Sequence, residues 1–320
     1  MTRALIFGVD GQDGSYLAEF LLQKEYEVIG WVPETITVAY DNIAHILDKM
    51  TLVKGDLLDQ SSLESFLQEH NPDEIYNLAS PTSPASSWDI PLVFGEIAAL
   101  GVGRLLEAIR KITPASRFFQ ASSSELFGIP AQVPQNELTP FAPRNPYGIA
   151  KLYAHWSTVR YRQKYNMYAV SGIMFNHESP RRGLRFVTRK ISNTAAKIKL
   201  GLVDELRLGN LEARRDWGFA GEYVEAMWLM LQQDVPEDFV IGTGRTHSVR
   251  EFCEAAFGYV ELNFRDYVVI DQRFMRPVEE QQLVADPGEA WEKLGWRSSV
   301  GFNQLVSMMV EADLRALGTA

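Results

Sequence analysis

The sequence predicts an α/β fold, in which a doubly wound, mostly parallel sheet carries helices on both faces and is followed by a smaller lobe. Short apolar runs alternate with segments of helical periodicity over residues 1–174, as is typical of successive strand–helix–strand units. A glycine cluster follows the first apolar run, where such folds make their first strand-to-helix turn. The 320 residues are 46% hydrophobic and 22% charged, which suits one large domain or two lobes.

The composition also narrows the function classes. The formal net charge is −10 and no basic cluster is evident, so we expect no nucleic-acid partner. No apolar run reaches membrane-spanning length, so we expect no membrane association. The single cysteine, Cys253, excludes an internal disulfide and favours a reducing compartment, the cytoplasm. No Cys, His and Asp spacing indicates a metal site.

The first strand, over residues 4–7, leads into a Gly-x-x-Gly-x-x-Gly turn and a helix over residues 16–22. This spacing lets the backbone approach a pyrophosphate at a helix N-terminus, where N–H groups and the helix dipole favour anions. The pattern predicts a Rossmann-type dinucleotide site; the alternative is an ordinary strand–helix turn. The candidate cofactor-binding residues in the turn are Gly8, Gly11, Gln12, Asp13 and Gly14.

The second strand, over residues 27–31, ends at Pro33 and Glu34. A carboxylate at this point bonds the ribose 2′-hydroxyl of NAD, whereas an arginine accepts the 2′-phosphate of NADP. No arginine is present, so the local residues favour NAD, with Glu34 as the ribose ligand. The alternative is that Glu34 is simply solvated.

The third and fourth strands, over residues 52–54 and 74–79, end in further candidate cofactor residues. Ligands of such folds bind outside the carboxyl ends of the strands, where small side chains leave room. An acid there can cap the adenine amino group. The candidates at these two strand ends are Asp56, Leu57, Leu78 and Ala79.

The fifth strand, over residues 117–122, places Ser123 and Glu125 at the same edge, and Tyr147 and Lys151 open a later helix. Residues four apart share a helix face, so Lys151 can favour the phenolate of Tyr147, whose ordinary pKa is ~10. Ser123 can bond the same substrate oxygen, and Glu125 is a second acid/base. The four candidate catalytic residues together can move a hydride and a proton, although Tyr-x-x-x-Lys alone is common by chance.

The regular alternation fades after the sixth strand, over residues 168–174. Arg181, Arg215 and Arg276 lie in loop-like stretches and could bind phosphate bidentately; the alternative for each is a surface salt bridge. His177 is too isolated for a metal ligand and is a candidate for a structural hydrogen bond or a cofactor contact. We expect a dinucleotide-binding domain of residues 1–174 plus about 217–259, and a non-contiguous substrate lobe of about 175–216 plus 260–320.

The chain is similar, nearly end to end, to the extended short-chain dehydrogenase/reductases, and within them it resembles the GDP-mannose 4,6-dehydratase family. The resemblance implies a GDP-hexose substrate, NADP as cofactor and a homodimer or homotetramer. The matching stretches are residues 11–21, 72–79, 104–110, 175–183, 186–191, 209–211, 215–218 and 223–228. The substrate-binding residues that the resemblance implies are Asn176, Val187, Lys190, Arg215 and Arg276.

The resemblance also implies a reaction. Tyr147 takes the proton of the sugar 4-hydroxyl while a hydride leaves C4, Glu125 removes the C5 proton, water leaves from C6, and the hydride returns to C6. The product is GDP-4-keto-6-deoxy-D-mannose, and Ser123 stands where the family has a threonine. The alternatives are a GDP-4-keto-6-deoxy-sugar reductase or nucleotide-sugar epimerase on the same scaffold, and a dinucleotide sensor without catalysis.

The chain departs from the family around the cofactor and the sugar. Pro33 and Glu34 replace two arginines that bind the NADP phosphate and help form the tetramer, so NAD competes with NADP as the expected cofactor. Asp10 replaces a small hydroxyl residue beside the pyrophosphate. Residues 81–84 differ in the loop that borders the sugar, which leaves the identity of the hexose open.

Overall fold

The computed structural model describes residues 1–34, 40–275 and 282–318. Its strands are β1 (Arg3–Phe7), β2 (Glu27–Pro33), β3 (Thr51–Gly55), β4 (Glu74–Asn77), β5 (Arg117–Ala121), β6 (Ala169–Met174), β7 (Asn176–Glu178), β8 (Leu206–Leu208), β9 (Arg214–Phe219), β10 (Phe239–Ile241), β11 (Thr246–Ser248) and β12 (Val268–Ile270). Its α-helices are α1 (Gln12–Gln23), α2 (Gln60–His70), α3 (Pro91–Phe94), α4 (Gly101–Ile112), α5 (Pro146–Tyr165), α6 (Val187–Lys199), α7 (Ala220–Gln232), α8 (Val249–Tyr259) and α9 (Phe302–Gly318).

The predicted fold class is confirmed. Seven strands form a parallel sheet in the order β10-β6-β5-β4-β1-β2-β3. The central strands are apolar on both faces because both faces are covered; Ala4 and Ile6 pack with α1 and α7, whereas Leu5 and Phe7 pack with α2, α4 and α5. The chain order reverses on either side of β1, so the carboxyl ends of β1 and β4 border the crevice in which such sheets bind ligands.

The amphipathic periodicity of residues 93–112 predicts one continuous helix, but the structure interrupts it. It runs from α3 through a π-helical turn, Gly95–Leu100, into α4. Ala98 and Ala99 of the turn pack against Ala150 of α5, so the widened turn lies beside the helix that carries the candidate tyrosine. Such turns are frequent next to functional sites, and hydropathy periodicity does not predict them.

The residues beyond β6 form smaller units. A three-stranded sheet has the order β11-β9-β7, and β8 pairs with β12. Helices α6, α8 and α9 enclose a separate apolar core that includes Ile191, Trp217, Phe252 and Met309. Helix α8, which the sequence places with the dinucleotide-binding domain, packs in this core; the division into domains stays a prediction.

Two searches cover the described ranges only. None of the helices in residues 1–34, 40–275 and 282–318 has both the length and the apolar character needed to cross a membrane. Over the same ranges, no three His, Cys, Asp or Glu side chains are grouped so as to hold a metal ion.

Candidate active site

The glycine turn between β1 and α1 is so tight that it leaves no room for a side chain at position 14. Gly8 has φ +79°, and its N–H donates to the carbonyl of Trp31 at 2.9 Å. A Cβ on Gly14 would lie 2.2 Å from the carbonyl oxygen of Gly8. The N-cap of α1 is Gly11, which has no side chain to cover the first N–H groups of the helix. The turn therefore fits the diphosphate of a dinucleotide.

Asp13 and His177 connect this turn to β7. His177 Nε2 donates to Asp13 Oδ2 at 2.8 Å, and Nδ1 donates to the carbonyl of Phe175 at 2.7 Å. Burial disfavours both charges, but the attraction between the two groups outweighs it: the pKa of Asp13 falls to about 2 and the pKa of His177 is raised. Gln12 adds a second link, donating to the carbonyl of His177 and accepting from Ser179 Oγ.

The other predicted cofactor residues lie along the carboxyl edge of the sheet. Glu34 follows β2 and is exposed, and its N–H donates to the carbonyl of Gly55 at 3.2 Å. Asp56 is exposed beyond β3, where its carboxylate accepts from the N–H of Leu58 at 2.9 Å. The residues that follow at neighbouring strand ends are Leu57, Leu78 and Ala79.

The structure brings Ser123, Glu125, Tyr147 and Lys151 together. Helix α5 begins with Pro146 at its first position, so Tyr147 faces the end of β5 and is 7% exposed. The hydroxyl of Ser123 accepts from the N–H of Glu125 at 3.2 Å, and its hydrogen bond to Tyr147 favours the phenolate. Lys151 is buried behind the tyrosine, with Nζ 5.8 Å from the centre of the phenol ring.

The electrostatics of the pair differ from the sequence-based expectation. Burial raises the pKa of Tyr147 to about 12, against the lowering effect of the Ser123 hydrogen bond, and the charge of Glu125 raises it further. Burial lowers the pKa of Lys151 to about 8. The ammonium donates to the carbonyl of Ala121 at 2.8 Å rather than to the phenol. With this pKa, Tyr147 is a neutral phenol near pH 7.

Asn145 is a member of the site that the sequence reasoning missed. Its Oδ1 accepts from the N–H of Gly148 at 2.7 Å, which caps α5, and its Nδ2 donates to Glu125 Oε2 at 2.7 Å. One amide therefore starts the helix of Tyr147 and holds the carboxylate of Glu125. The signal available in the sequence was an asparagine directly before a proline, which is a typical helix start.

Arg182 is a second residue that was missed. Its charge lowers the pKa of Tyr147, Asp13 and His177, so it lies close enough to act on all three. The guanidinium sits 3.6 Å from the centre of the Phe186 ring and 3.1 Å from Glu178 Oε2. Within the described part of the chain its buried Nε has no hydrogen bond of good geometry.

For the neighbouring Arg181 the sequence left two alternatives, a phosphate ligand or a salt bridge, and the structure shows a salt bridge. Its guanidinium pairs with Glu19, donates to Ser15 Oγ and lies 4.0 Å from the centre of the Tyr16 ring. All three partners belong to α1. Arg181 therefore links the loop after β7 to α1. The carboxylate of Glu19 occupies its guanidinium.

Four of the five predicted substrate residues surround the smaller sheets. Asn176 opens β7 and Val187 opens α6, while Arg215 lies on β9 opposite His247. Lys190 donates to the carbonyl of Arg207 at 2.6 Å and lies 4.0 Å from the centre of the Phe274 ring. Arg276 lies outside the described residues. The roles of all five in binding stay predictions.

Comparison with known proteins gives the family. A family model described as GDP-mannose 4,6 dehydratase matches residues 5–309. GDP-mannose 4,6 dehydratase 1 of Arabidopsis thaliana is 50% identical over 323 residues, covering 97% of this chain and 89% of the relative. The GDP-mannose 4,6 dehydratase of Homo sapiens is 47% identical over 343 residues, covering 99% and 92%.

A solved structure supports the fold independently. A dTDP-glucose 4,6-dehydratase from Streptomyces venezuelae, solved with NAD bound, matches with a TM-score of 0.87 over 99% of this chain and 98% of that chain. Its sequence identity is 21%, so the likeness extends to the architecture alone. The family model and the two relatives confirm the predicted family: the chain belongs to the GDP-mannose 4,6-dehydratases.

Proposed function

We propose that this protein dehydrates GDP-mannose to GDP-4-keto-6-deoxy-D-mannose. Family membership over nearly the whole chain supports this. The observation that carries the proposal is the second proton-transfer group: Asn145 holds Glu125 beside Tyr147. Oxidation of an alcohol needs one base, whereas loss of water from C5 and C6 needs another for the C5 proton.

The glycine turn is proposed to hold the diphosphate of NAD or NADP. The fit is steric, since a methyl group on Gly14 would collide with backbone, and electrostatic, since the turn opens onto the N-terminus of α1. A bound nicotinamide would supply the hydride acceptor and donor that the reaction needs. The proposed cofactor ligands are Gly8, Gly11, Gln12, Asp13, Gly14, Glu34, Asp56, Leu57, Leu78, Ala79, Tyr147, Lys151 and His177. The bond between Asp13 and His177 also braces the turn.

Tyr147 is proposed to take the proton of the sugar 4-hydroxyl. Its buried phenol needs help to ionise, and three groups can give it: Ser123 by a hydrogen bond, Arg182 by its charge, and Lys151 by its ammonium behind the ring. Because the charge of Glu125 opposes ionisation of Tyr147, uptake of a proton by Tyr147 removes a repulsion between the two groups. Such coupling suits a site that passes two protons in turn.

Glu125 is proposed to take the C5 proton once C4 carries a keto group, which acidifies C5. Asn145 Nδ2 fixes one carboxylate oxygen, leaving the other to face the sugar. Asn176, Val187, Lys190 and Arg215, together with Arg276, are proposed to bind the GDP portion. Burial lowers the pKa of Lys190, and an anionic phosphate bound beside it would raise that pKa again.

The test is to incubate the purified protein with GDP-mannose and NAD+ or NADP+ in D2O. We expect a 4-keto-6-deoxy product that carries deuterium at C5, since the C5 proton exchanges with solvent through Glu125. Glu125→Gln should slow formation of this product by ~10²–10⁴-fold. Recovery of unchanged GDP-mannose with both cofactors would reject the proposal. A homodimer or homotetramer and a cytoplasmic location remain predictions.

A further inference from the structure

A row of buried amides lies between β4 and β5, next to the candidate catalytic lysine. Asn77 and Gln120 stand opposite each other in the strand register, and each is 1% exposed. Asn77 Nδ2 donates to Gln120 Oε1 at 2.8 Å, and Gln120 Nε2 donates to the carbonyl of Ala121 at 2.8 Å. That carbonyl also accepts from Lys151 Nζ at 2.8 Å. Its two lone pairs are therefore both occupied.

The orientation of the row follows from this carbonyl. A carbonyl oxygen only accepts, so Gln120 must turn its nitrogen towards Ala121 and its oxygen towards Asn77. Asn77 must then offer its nitrogen in reply. The rotation of the peptide group between Ala121 and Ser122 is thus set from both sides, by Gln120 and by Lys151. This peptide lies one residue before Ser123.

Stability alone does not explain the row. Within the described residues, Asn77 Oδ1 is buried and has no hydrogen-bond partner, and the same holds for Ser122 Oγ. Unpaired buried polar atoms destabilise a fold, whereas apolar residues at both positions would leave nothing unpaired. Asn77 and Gln120 therefore do something for the protein other than fill its core.

We propose that Gln120, held in orientation by Asn77, is a positioning residue for Lys151: it shares and fixes the carbonyl of Ala121 on which the lysine ammonium rests. The importance of Lys151 for activity rests on the proposed function. The positioning of its ammonium does not, because it concerns contacts within the protein.

The row also limits how strongly Lys151 holds its proton. A carbonyl that already accepts from Gln120 is a weaker acceptor for the ammonium, and the amide hydrogen places a partial positive charge beside Nζ. The other charged and titratable groups near this centre are Asp13, which raises the pKa of Lys151, and Glu125 and Arg182, which act on Tyr147. None of them belongs to the row, so replacing Gln120 leaves them in place.

The test compares Gln120→Met, which keeps the volume and removes the donor, with Gln120→Glu, which adds a negative charge. Lysine residues labelled with 13C at Cε are titrated by NMR in the protein without cofactor or substrate, and Lys151→Met identifies the signal. We expect the pKa of Lys151 to rise from about 8, by about half to one unit in Gln120→Met and by more in Gln120→Glu. An unchanged pKa in either folded variant would overturn the proposal.

A matched control is Gln135→Met. Gln135 is a fully buried amide that donates to the carbonyl of Gln132 at 2.7 Å and accepts from the N–H of Val284 at 2.8 Å. Its loss should lower stability and leave Lys151 unchanged. In the active enzyme, the alkaline limb of the kcat/KM profile should move upward in the Gln120 variants and stay in place in Gln135→Met. If the wild type fails to turn over GDP-mannose, the proposed function fails while the NMR titration still decides the role of Gln120.

Discussion

Substitutions of Asn145 can separate an effect on helix stability from an effect on catalysis, because the oxygen and the nitrogen of its amide bind different groups. Its oxygen caps α5 and its nitrogen holds Glu125. Removing both in Asn145→Ala should cost about 1 kcal/mol of stability for the cap. It also removes a hydrogen bond to a carboxylate, worth about 1.5–3 kcal/mol, so kcat should fall ~10- to 100-fold.

Asn145→Asp divides these effects. Aspartate is as good an N-cap as asparagine, so the contribution of the cap to the free energy of unfolding should be kept. It has no N–H donor and places a second negative charge beside Glu125, so dehydration should fall at least as far as in Asn145→Ala. Glu125→Gln gives the lowest rate expected in this series, since loss of a general base lowers the rate ~10²–10⁴-fold.

The assay is turnover of GDP-mannose with C5 deuteration in D2O, read beside urea unfolding of each variant. We expect the Asp variant to be slow with its helix cap kept, and the Ala variant to be slow and to lose the cap. Wild-type deuteration in a stable Asn145→Asp would refute the view that this amide positions Glu125.

Further predictions follow from the turn and its surroundings. Gly14→Ala should weaken NAD+ binding at least ~10-fold because its Cβ meets the carbonyl of Gly8, whereas Gly103→Ala, whose Cβ meets only Tyr153 at 3.7 Å, should bind NAD+ normally. Fluorescence titration measures both affinities, and normal NAD+ binding by Gly14→Ala would contradict the assignment of the turn to the dinucleotide. NAD+ should bind at least as tightly as NADP+, and the double variant Asp10→Thr with Glu34→Arg should prefer NADP+ in the same titration. A strong preference of the wild type for NADP+ would show that the two carboxylates do not determine which cofactor binds. The ion pair that raises the pKa of His177 should stabilise the fold fully below about pH 6.5 and progressively less as the pH rises through the raised pKa. The free energies of unfolding of the wild type and His177→Gln should therefore converge at alkaline pH, and a difference that stays constant with pH would show that the charge of His177 is not its source.

The sequence was sufficient for the features that are local or that follow from the strand-edge rule. The glycine turn occupies seven residues, Ser123 and Glu125 follow one strand, and Tyr147 and Lys151 share a helix face; because parallel strands end at a common edge, these pieces meet. Family resemblance supplied the reaction, which spacing alone could not.

The features that were missed depend on distant contacts. Asn145 reaches Glu125 across 20 residues, and Asp13 reaches His177 across 164, which no periodicity reports. Arg181 and Arg182 are adjacent and chemically identical, yet one faces α1 and the other faces the site. Burial raises the pKa of Tyr147 to about 12, and this burial is a property of the fold that spacing in the sequence does not predict.

The bonds from Asp13 and Gln12 to the β7 segment have a thermodynamic consequence. The turn proposed to hold the dinucleotide and the segment that begins with Asn176 share a partly buried ion pair and two amide hydrogen bonds. A ligand that orders one partner therefore reduces the entropy that the other ligand must remove. By reciprocity, the cofactor should raise the affinity for GDP-sugar by the same factor by which GDP-sugar raises the affinity for cofactor.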